Sequence, residues 1–381
     1  MGRGHEPSGT DSPSAEGRIA GDVSYSIRPF ELDDLGTVQE LFTAIRGTEP
    51  SRAWLKWKFI RNPAVGDECM FVADSDVGII GIIPFYPVRL RYGGTRFDGT
   101  CFVNLMVHPD YQGEGVFTAL RNDALDYLGD RTDLVFGFTN SNSRPIYRHW
   151  GETEVGPMYA HFRFQNPEAI FPGGRLWRKP VAYLNSWGTR SYLAVRDRVS
   201  TSPSNVSVTK TEAVPAARLA ALYRHSVPEA LHVVRDTAYY RWRLGAPDRS
   251  GDVYIATRSG EDIAALITRH RQVTEEITRI EVADVLPIVP NRAWTSGFRA
   301  LLDRLIHDHR DADVISICSS SMPKGLLREY GFISNTRFPY SSLSRRVYVT
   351  LTLFVTPFTD TAFDISDQEN WNMSELTINT D

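Results

Sequence analysis

Apolar positions change period along this chain, and the changes mark out strands and helices. Tyr25 to Phe30 reads as a short strand. Behind the acidic pair Asp33-Asp34, residues Leu35, Val38, Leu41, Phe42 and Ile45 fall on one face at helical spacing. Met70 to Ala73 and Val77 to Leu90 flank Asp74-Ser75-Asp76, which predicts a hairpin. Cys101 to Val107 predicts another strand, and Val116, Leu120, Ala124 and Leu128 predict the helix that follows it. The fully apolar run Leu134 to Phe138 predicts a buried strand. Arg144 to Gly151 predicts a short helix, with Pro145 in its first turn and Gly151 at its end.

The organisation then repeats. Val206 to Val208 reads as a strand and Ala217 to Tyr223 as a helix. Tyr239 to Pro247 echoes the aromatic and basic segment Trp54 to Pro63. Trp242 follows Trp57 by 185 residues, and Gly331 follows Gly151 by 180. A near-constant offset over that distance predicts two copies of one domain. The expected layout is a disordered tail at 1–22, a first domain at 23–165, a connector at 166–205, a second domain at 206–358 and a C-terminal tail at 359–381.

Composition narrows the function. A net charge of −4 and a pI near 6.2 offer no basic footprint for nucleic acid, and no apolar stretch is long enough to span a membrane. Cys69, Cys101 and Cys318 lie far apart, with neither metal nor redox spacing, which predicts reduced thiols in a cytoplasmic protein with no metal.

The chemistry concentrates between Val107 and Leu120. A strand runs into Pro109-Asp110, then into Gly113-Glu114-Gly115, then into a helix. Such a junction aims backbone N–H groups and the positive end of a helix dipole at one point, a ready site for phosphate or pyrophosphate. Gly-x-Gly-x-x-Gly is not present, because position 118 is Thr, and neither is a loop ending Gly-Lys-Ser/Thr.

Val107, Pro109, Tyr111, Gln112 and Gly115 resemble the acyl-CoA loop of the GNAT superfamily of N-acyltransferases. Asn140, Ser143, Tyr147 and Gly151 match that family's second motif in order and spacing, and Ile27-Arg28-Pro29 before an acidic cap is how many of its members open. Phe117 departs from the pattern, which has a small residue there. The resemblance implies an α/β fold of two tandem GNAT-like domains, each a central mixed β-sheet flanked by helices. It also implies an N-acetyltransferase that moves an acetyl group from acetyl-CoA, as co-substrate, to a primary amine of a small-molecule or peptide acceptor. The protein is then a monomer or homodimer with no nucleic-acid or membrane partner. The alternative is a non-catalytic acyl-CoA-binding sensor or scaffold.

Site residues follow from the same resemblance. Leu105, Met106, Val107, Gln112, Gly113, Glu114, Gly115, Val116, Phe117, Asn140 and Ser143 are expected to hold the cofactor. Backbone groups near Asn104 to Val107 are expected to be left unpaired where two strands splay, so that pantetheine amides can bond them and an N–H near Met106 or Val107 can polarise the thioester. Tyr147 is expected to protonate the leaving thiolate, since a phenol has a suitable pKa. Trp57, Asn104 and Trp242 are candidate acceptor-binding residues. The base stays open: Asn104 stands where the family has a carboxylate, with His108, Glu114 and Glu152 nearby in sequence. The second copy is expected to be degenerate. Arg279 to Leu286 is followed by Pro287 to Trp294, which has no glycine, and Leu327 stands four residues before Gly331.

Overall fold

The computed structural model describes residues 17–64, 68–166, 205–247, 250–289, 294–318, 322–335, 351–357, 363–374 and 376–377. The fold is mixed α/β, with two mixed sheets flanked by helices. The chain divides into two compact units, residues 1–87 with 98–135 and residues 88–97 with 136–381.

In the first unit β1 (Arg18–Ala20) pairs antiparallel with β2 (Val23–Pro29). Order thus begins inside the segment that the sequence reads as a tail to residue 22. Gly21, at φ 61°, turns the chain back on β2, Ala20 is buried, and Arg18 forks onto Asp123 at 2.8 and 3.1 Å. A three-residue strand is too short to show a period. Residues 1–16 lie outside the described residues.

Helix α1 (Leu35–Arg46) starts after a capping box between Glu31 and Asp34. Arg28 holds Asp34 through two 2.8 Å bonds, and these hydrogen bonds keep the Asp34 carboxyl below its ordinary pKa. The helix buries Leu35, Val38, Leu41 and Phe42 and ends at Gly47, whose φ of 72° suits a residue without Cβ. Next, α2 (Arg52–Leu55) is capped by the Ser51 hydroxyl and runs on into a turn of π-helix, Lys56–Ile60. The predicted hairpin forms as β3 (Met70–Ser75) and β4 (Gly78–Tyr92), with β2 on the outer side of β3. β5 (Thr95–Phe102) and β6 (Met106–Val107) lead to α3 (Val116–Leu128), and β6 pairs with β4 through Gly81 and Ile82.

Val116, Leu120, Ala124 and Leu128 are all buried, and at roughly 1.5–3 kcal/mol for each large apolar side chain this stripe, rather than helix propensity, seats α3. A Cβ on Gly81 would come within 3.0 Å of Leu120 Cδ1 and 3.1 Å of Val116 Cγ1, so a glycine in β4 lets the helix approach.

The second unit opens with most of β7 (Leu134–Thr139), then α4 (Arg144–His149), β8 (Thr153–Pro157) and β9 (His161–Phe164). After residues 167–204 of the expected connector, which lie outside the described residues, come β10 (Ser207–Thr211), α5 (Ala216–His225), β11 (His232–Val233) and α6 (Thr237–Leu244). Then follow β12 (Val253–Arg258), β13 (Glu261–Thr274), β14 (Ile277–Leu286), α7 (Thr295–Asp308), β15 (Val314–Ile317), α8 (Lys324–Glu329), β16 (Ile333–Ser334) and β17 (Thr352–Pro357).

A seven-stranded sheet runs β10-β12-β13-β14-β15-β9-β16, antiparallel except for β14 with β15. α7 covers it with Phe298, Leu301, Leu302 and Leu305, all fully buried against Tyr254, Leu266, Val282 and Ile315. Strands are exchanged along the chain. β9 enters this sheet between β15 and β16, whereas β17, late in the chain, pairs with β8.

Part of the segment expected as a C-terminal tail is core. Phe363, Trp371, Met373 and Leu376 are buried, and the Leu376 N–H donates to the Ala283 carbonyl at 2.8 Å. Those apolar residues follow neither a helical nor a strand period, so their burial leaves no pattern to read. No helix among the described residues is long and apolar enough to cross a membrane.

Candidate active site

The expected strand Cys101 to Val107 is interrupted at Asn104. The Val103 N–H donates to the Pro84 carbonyl at 3.1 Å, yet Met106 pairs with Ile82, so three steps on this strand face two on β4. Asn104 takes up the extra residue at φ 51°, a left-handed conformation that asparagine tolerates better than most side chains. Its Oδ1 is buried with no hydrogen-bond partner. Leu105 beside it is half-buried, while Met106 and Val107 are buried.

Beyond β6 the chain is held from behind. The His108 N–H donates to the Ile80 carbonyl at 2.8 Å, and the Gln112 side-chain amide reaches back to the Val107 carbonyl at 3.0 Å. Pro109 to Tyr111 forms a tight turn, with His108 Nδ1 accepting from the Asp110 N–H at 3.4 Å. Gly113 and Gly115 both lie in the left-handed region, at φ 87° and 82°, and a Cβ on either would meet nothing within 4 Å. What demands glycine here is the backbone angle, not crowding. The loop from Gln112 to Gly115 is exposed, Val116 is buried and Phe117 is half-buried.

Gly115 is the N-cap of α3, and the first helical bond runs from Ala119 N–H to the Gly115 carbonyl at 3.0 Å. First-turn amides have no intrahelical acceptor and sit at the positive end of the dipole. The sequence-predicted residues Leu105 to Phe117 are therefore gathered in one strand-loop-helix junction whose exposed face suits an anion.

Asn140, Ser143 and Tyr147 belong to the second unit. Asn140 Oδ1 accepts from the Asn142 N–H at 2.9 Å and the Ser143 N–H at 3.2 Å, and Ser143 Oγ accepts from the Asn140 N–H at 3.2 Å. The two side chains close an Asx turn that launches α4. Tyr147 is the buried residue of α4, with its ring 5.3 Å from Trp150 and 5.5 Å from Phe354.

Glu154 was not legible as a partner of this helix. Arg144 and Arg148 both bond it, Arg148 at 2.6 Å. Burial raises the Glu154 pKa, but the two guanidinium hydrogen bonds outweigh burial and hold the carboxyl below its ordinary value. The i,i+4 spacing of the two arginines was the available signal.

Both candidate tryptophans are buried. Trp57 is 3% exposed in the π-helical turn and Trp242 is 7% exposed in α6, with the Arg243 guanidinium 5.2 Å above its ring. Trp54, not Trp57, sits edge-on between Phe42 and Phe59, with Lys58 Nζ 4.4 Å over its ring.

Residues 26–153 match the family model described as "Acetyltransferase (GNAT) domain". No curated protein sequence matches the chain. Among solved structures, a probable N-acyltransferase from Enterococcus faecalis V583 is similar at a TM-score of 0.60, with 12% identity over 88% of this chain and 73% of that one. A GCN5-related N-acetyltransferase from Anabaena variabilis ATCC 29413 is similar at 0.58, with 11% identity over 88% and 73% of the two chains. A GCN5-related N-acetyltransferase from Kribbella flavida is similar at 0.53, with 14% identity over 88% and 71%. At such identities the structural likeness speaks for the fold alone, and the family model matches the stretch that contains the glycine loop.

Proposed function

We propose that the protein is an acetyl-CoA-dependent N-acetyltransferase acting on a primary amine. The observation that carries this reading is the pair of left-handed glycines at the start of α3, inside the stretch that matches the GNAT acetyltransferase domain. In this reading the pyrophosphate lies against Gln112 to Phe117, the pantetheine arm runs along Leu105 to Val107, and Asn140 and Ser143 complete the cofactor contacts. The bulge at Asn104 supports the second element, because an irregular strand leaves backbone groups for a ligand to satisfy.

The neutral amine attacks the thioester carbonyl and forms the C–N bond. A backbone N–H at Met106 or Val107 stabilises the oxyanion, and collapse of the tetrahedral adduct expels the CoA thiolate. Tyr147 gives that thiolate its proton, and the surplus amine proton passes to water, which returns a proton to the Tyr147 phenolate. No carboxylate is needed at Asn104 if the amine arrives already neutral. Asn104, half-buried at the strand break, would line the acceptor site.

We assign residues 23–165 to this catalytic copy and 206–358 to a second, degenerate copy that binds no acyl-CoA. Element order supports the pairing. β3 and β12 begin 183 residues apart, at Met70 and Val253, α3 and α7 begin 179 apart, and α4 and α8 begin 180 apart. Part of the second loop, residues 290–293, lies outside the described residues. A cytoplasmic setting fits three buried free cysteines.

The experiment is to incubate the full chain with acetyl-CoA and a panel of amines, following free CoA thiol and acceptor mass. The reading expects amine-dependent CoA release with addition of an acetyl group. Absence of transfer across amino sugars, polyamines, aminoglycosides and peptide amines would contradict it.

A further inference from the structure

Away from the glycine loop, the second unit brings together three residues that are distant in sequence. Asp252 immediately precedes β12, His270 lies on β13, and His309 ends α7. One ligating atom from each lies within 4.8 Å of the other two. Asp252 Oδ2 is 3.5 Å from His270 Nε2 and 3.9 Å from His309 Nε2. The imidazole rings stand nearly perpendicular, 5.1 Å between centroids.

Three ligands around a tetrahedral ion at about 2.1 Å would be roughly 3.4 Å apart. Contraction of the longer separations by an ångström or so therefore closes the cage. Two imidazoles and a carboxylate are a donor set that borderline divalent ions accept, with a fourth position left for water.

The backbone around the carboxylate is fixed. The Asp252 N–H donates to Thr268 Oγ1 at 3.0 Å, the Thr268 N–H returns to the Asp252 carbonyl at 2.8 Å, and the His270 N–H donates to the Ser250 carbonyl at 2.9 Å. The His309 carbonyl accepts from the Gln165 side chain at 2.6 Å. The Asp252 side chain is only 5% exposed, and its Oδ2 aims into the group with the Lys210 ammonium 3.1 Å away. A carboxylate this buried costs free energy unless a cation answers it, a role that a metal ion can take over from the ammonium.

Two neighbours compete for these atoms. Lys210 Nζ stands 3.1 Å from Asp252 Oδ2, and Tyr254 Oη lies 3.0 Å from His309 Nε2 while also reaching Asp308 at 3.2 Å. Neither blocks the site. The Lys210 side chain is one-third exposed and can swing into water, and the tyrosine keeps Asp308 as an acceptor once His309 Nε2 is engaged.

We propose that Asp252, His270 and His309 form a binding site for a zinc-class divalent cation that ties β12, β13 and the end of α7 together. None of the three residues is among those assigned to acetyl transfer, and all three lie in the second unit.

The test is titration of the full chain, stripped with EDTA and exchanged into chelator-free buffer, with ZnCl2 by calorimetry and CoCl2 by visible absorption. The site predicts one tight equivalent and the d–d bands of low-coordinate cobalt. His270→Gln and Asp252→Asn should each weaken binding at least tenfold. His270 is the more exposed ligand, so its variant is the one expected to fold normally. Lys210→Met, which removes the competing ammonium without touching a ligand, should tighten binding several-fold. Absence of cobalt bands and zinc heat would overturn the proposal, and so would binding that all three substitutions leave unchanged.

Discussion

Two helix starts in this protein can be set side by side. α3 begins at Gly115 in a left-handed conformation, preceded by a second left-handed glycine and an exposed loop. α7 begins at Trp294 in an ordinary helical conformation, after a stretch that opens with Pro287 and contains no glycine. The buried faces are alike in kind. Val116, Leu120, Ala124 and Leu128 line one, and Phe298, Leu301, Leu302 and Leu305 line the other. The two features are separable, because the buried face depends on a side-chain stripe and the glycine loop on two φ angles.

The largest effect is expected from Gly115→Glu. It forces a side chain onto φ 82° and puts a carboxylate where pyrophosphate is expected, so acetyl-CoA binding should be lost by calorimetry, with the fold retained by circular dichroism. Wild-type affinity in this variant would mean that the loop is only a turn.

Next in size is Tyr147→Phe, which keeps the ring packed on Trp150 and Phe354 and removes only the hydroxyl. kcat should fall about 100-fold with the KM for acetyl-CoA nearly unchanged. An unchanged kcat would make the tyrosine structural. The corresponding position in α8 is Leu327, which is fully buried and has no proton to give.

The two cores, by contrast, should respond alike. Leu120→Ala and Leu305→Ala each truncate a fully buried leucine, and each should cost about 2–5 kcal/mol in denaturant unfolding. A near-zero cost at Leu305 would show that α7 is not held as its burial implies.

A smaller difference should appear with acid. Burial pushes His232 and His161, both in the second unit, down to about 4. The His232 Nδ1–H donates to the Ala230 carbonyl at 2.7 Å, so Nε2 accepts from the Tyr223 hydroxyl at 2.8 Å and the ring is neutral. Unfolded histidine titrates near 6.5, so between about pH 6.5 and 4 the unfolded chain binds protons that the folded chain does not, and stability falls as pH drops through that window. His108 is the only histidine among the first unit's described residues. His232→Asn should flatten the pH dependence of the melting temperature; a slope equal to that of the wild type would remove His232 as a cause.

The sequence carried whatever has a period or a motif. α3 spans Val116–Leu128, the bounds its apolar stripe predicts, because apolar spacing reports burial directly. The turn from strand into helix was legible because Gly113 and Gly115 punctuate the two apolar periods. Several features were not. The break at Asn104 hides in an apolar run, since a bulge is a matter of pairing register rather than residue type. β13, the long neighbour of β12, went unread because its inner half is an apolar run and its outer half alternates charge. The exchange of β9 and β17 depends on contacts between residues far apart in the chain, as does the grouping of Asp252, His270 and His309.

The proposed acetyl-CoA pyrophosphate site is the loop from Gln112 to Phe117, and calorimetric titration of the full chain with acetyl-CoA reads it out. One equivalent should bind per chain, abolished by Gly115→Glu and insensitive to substitutions between residues 287 and 294. Two equivalents per chain, or one that survives Gly115→Glu, would contradict it.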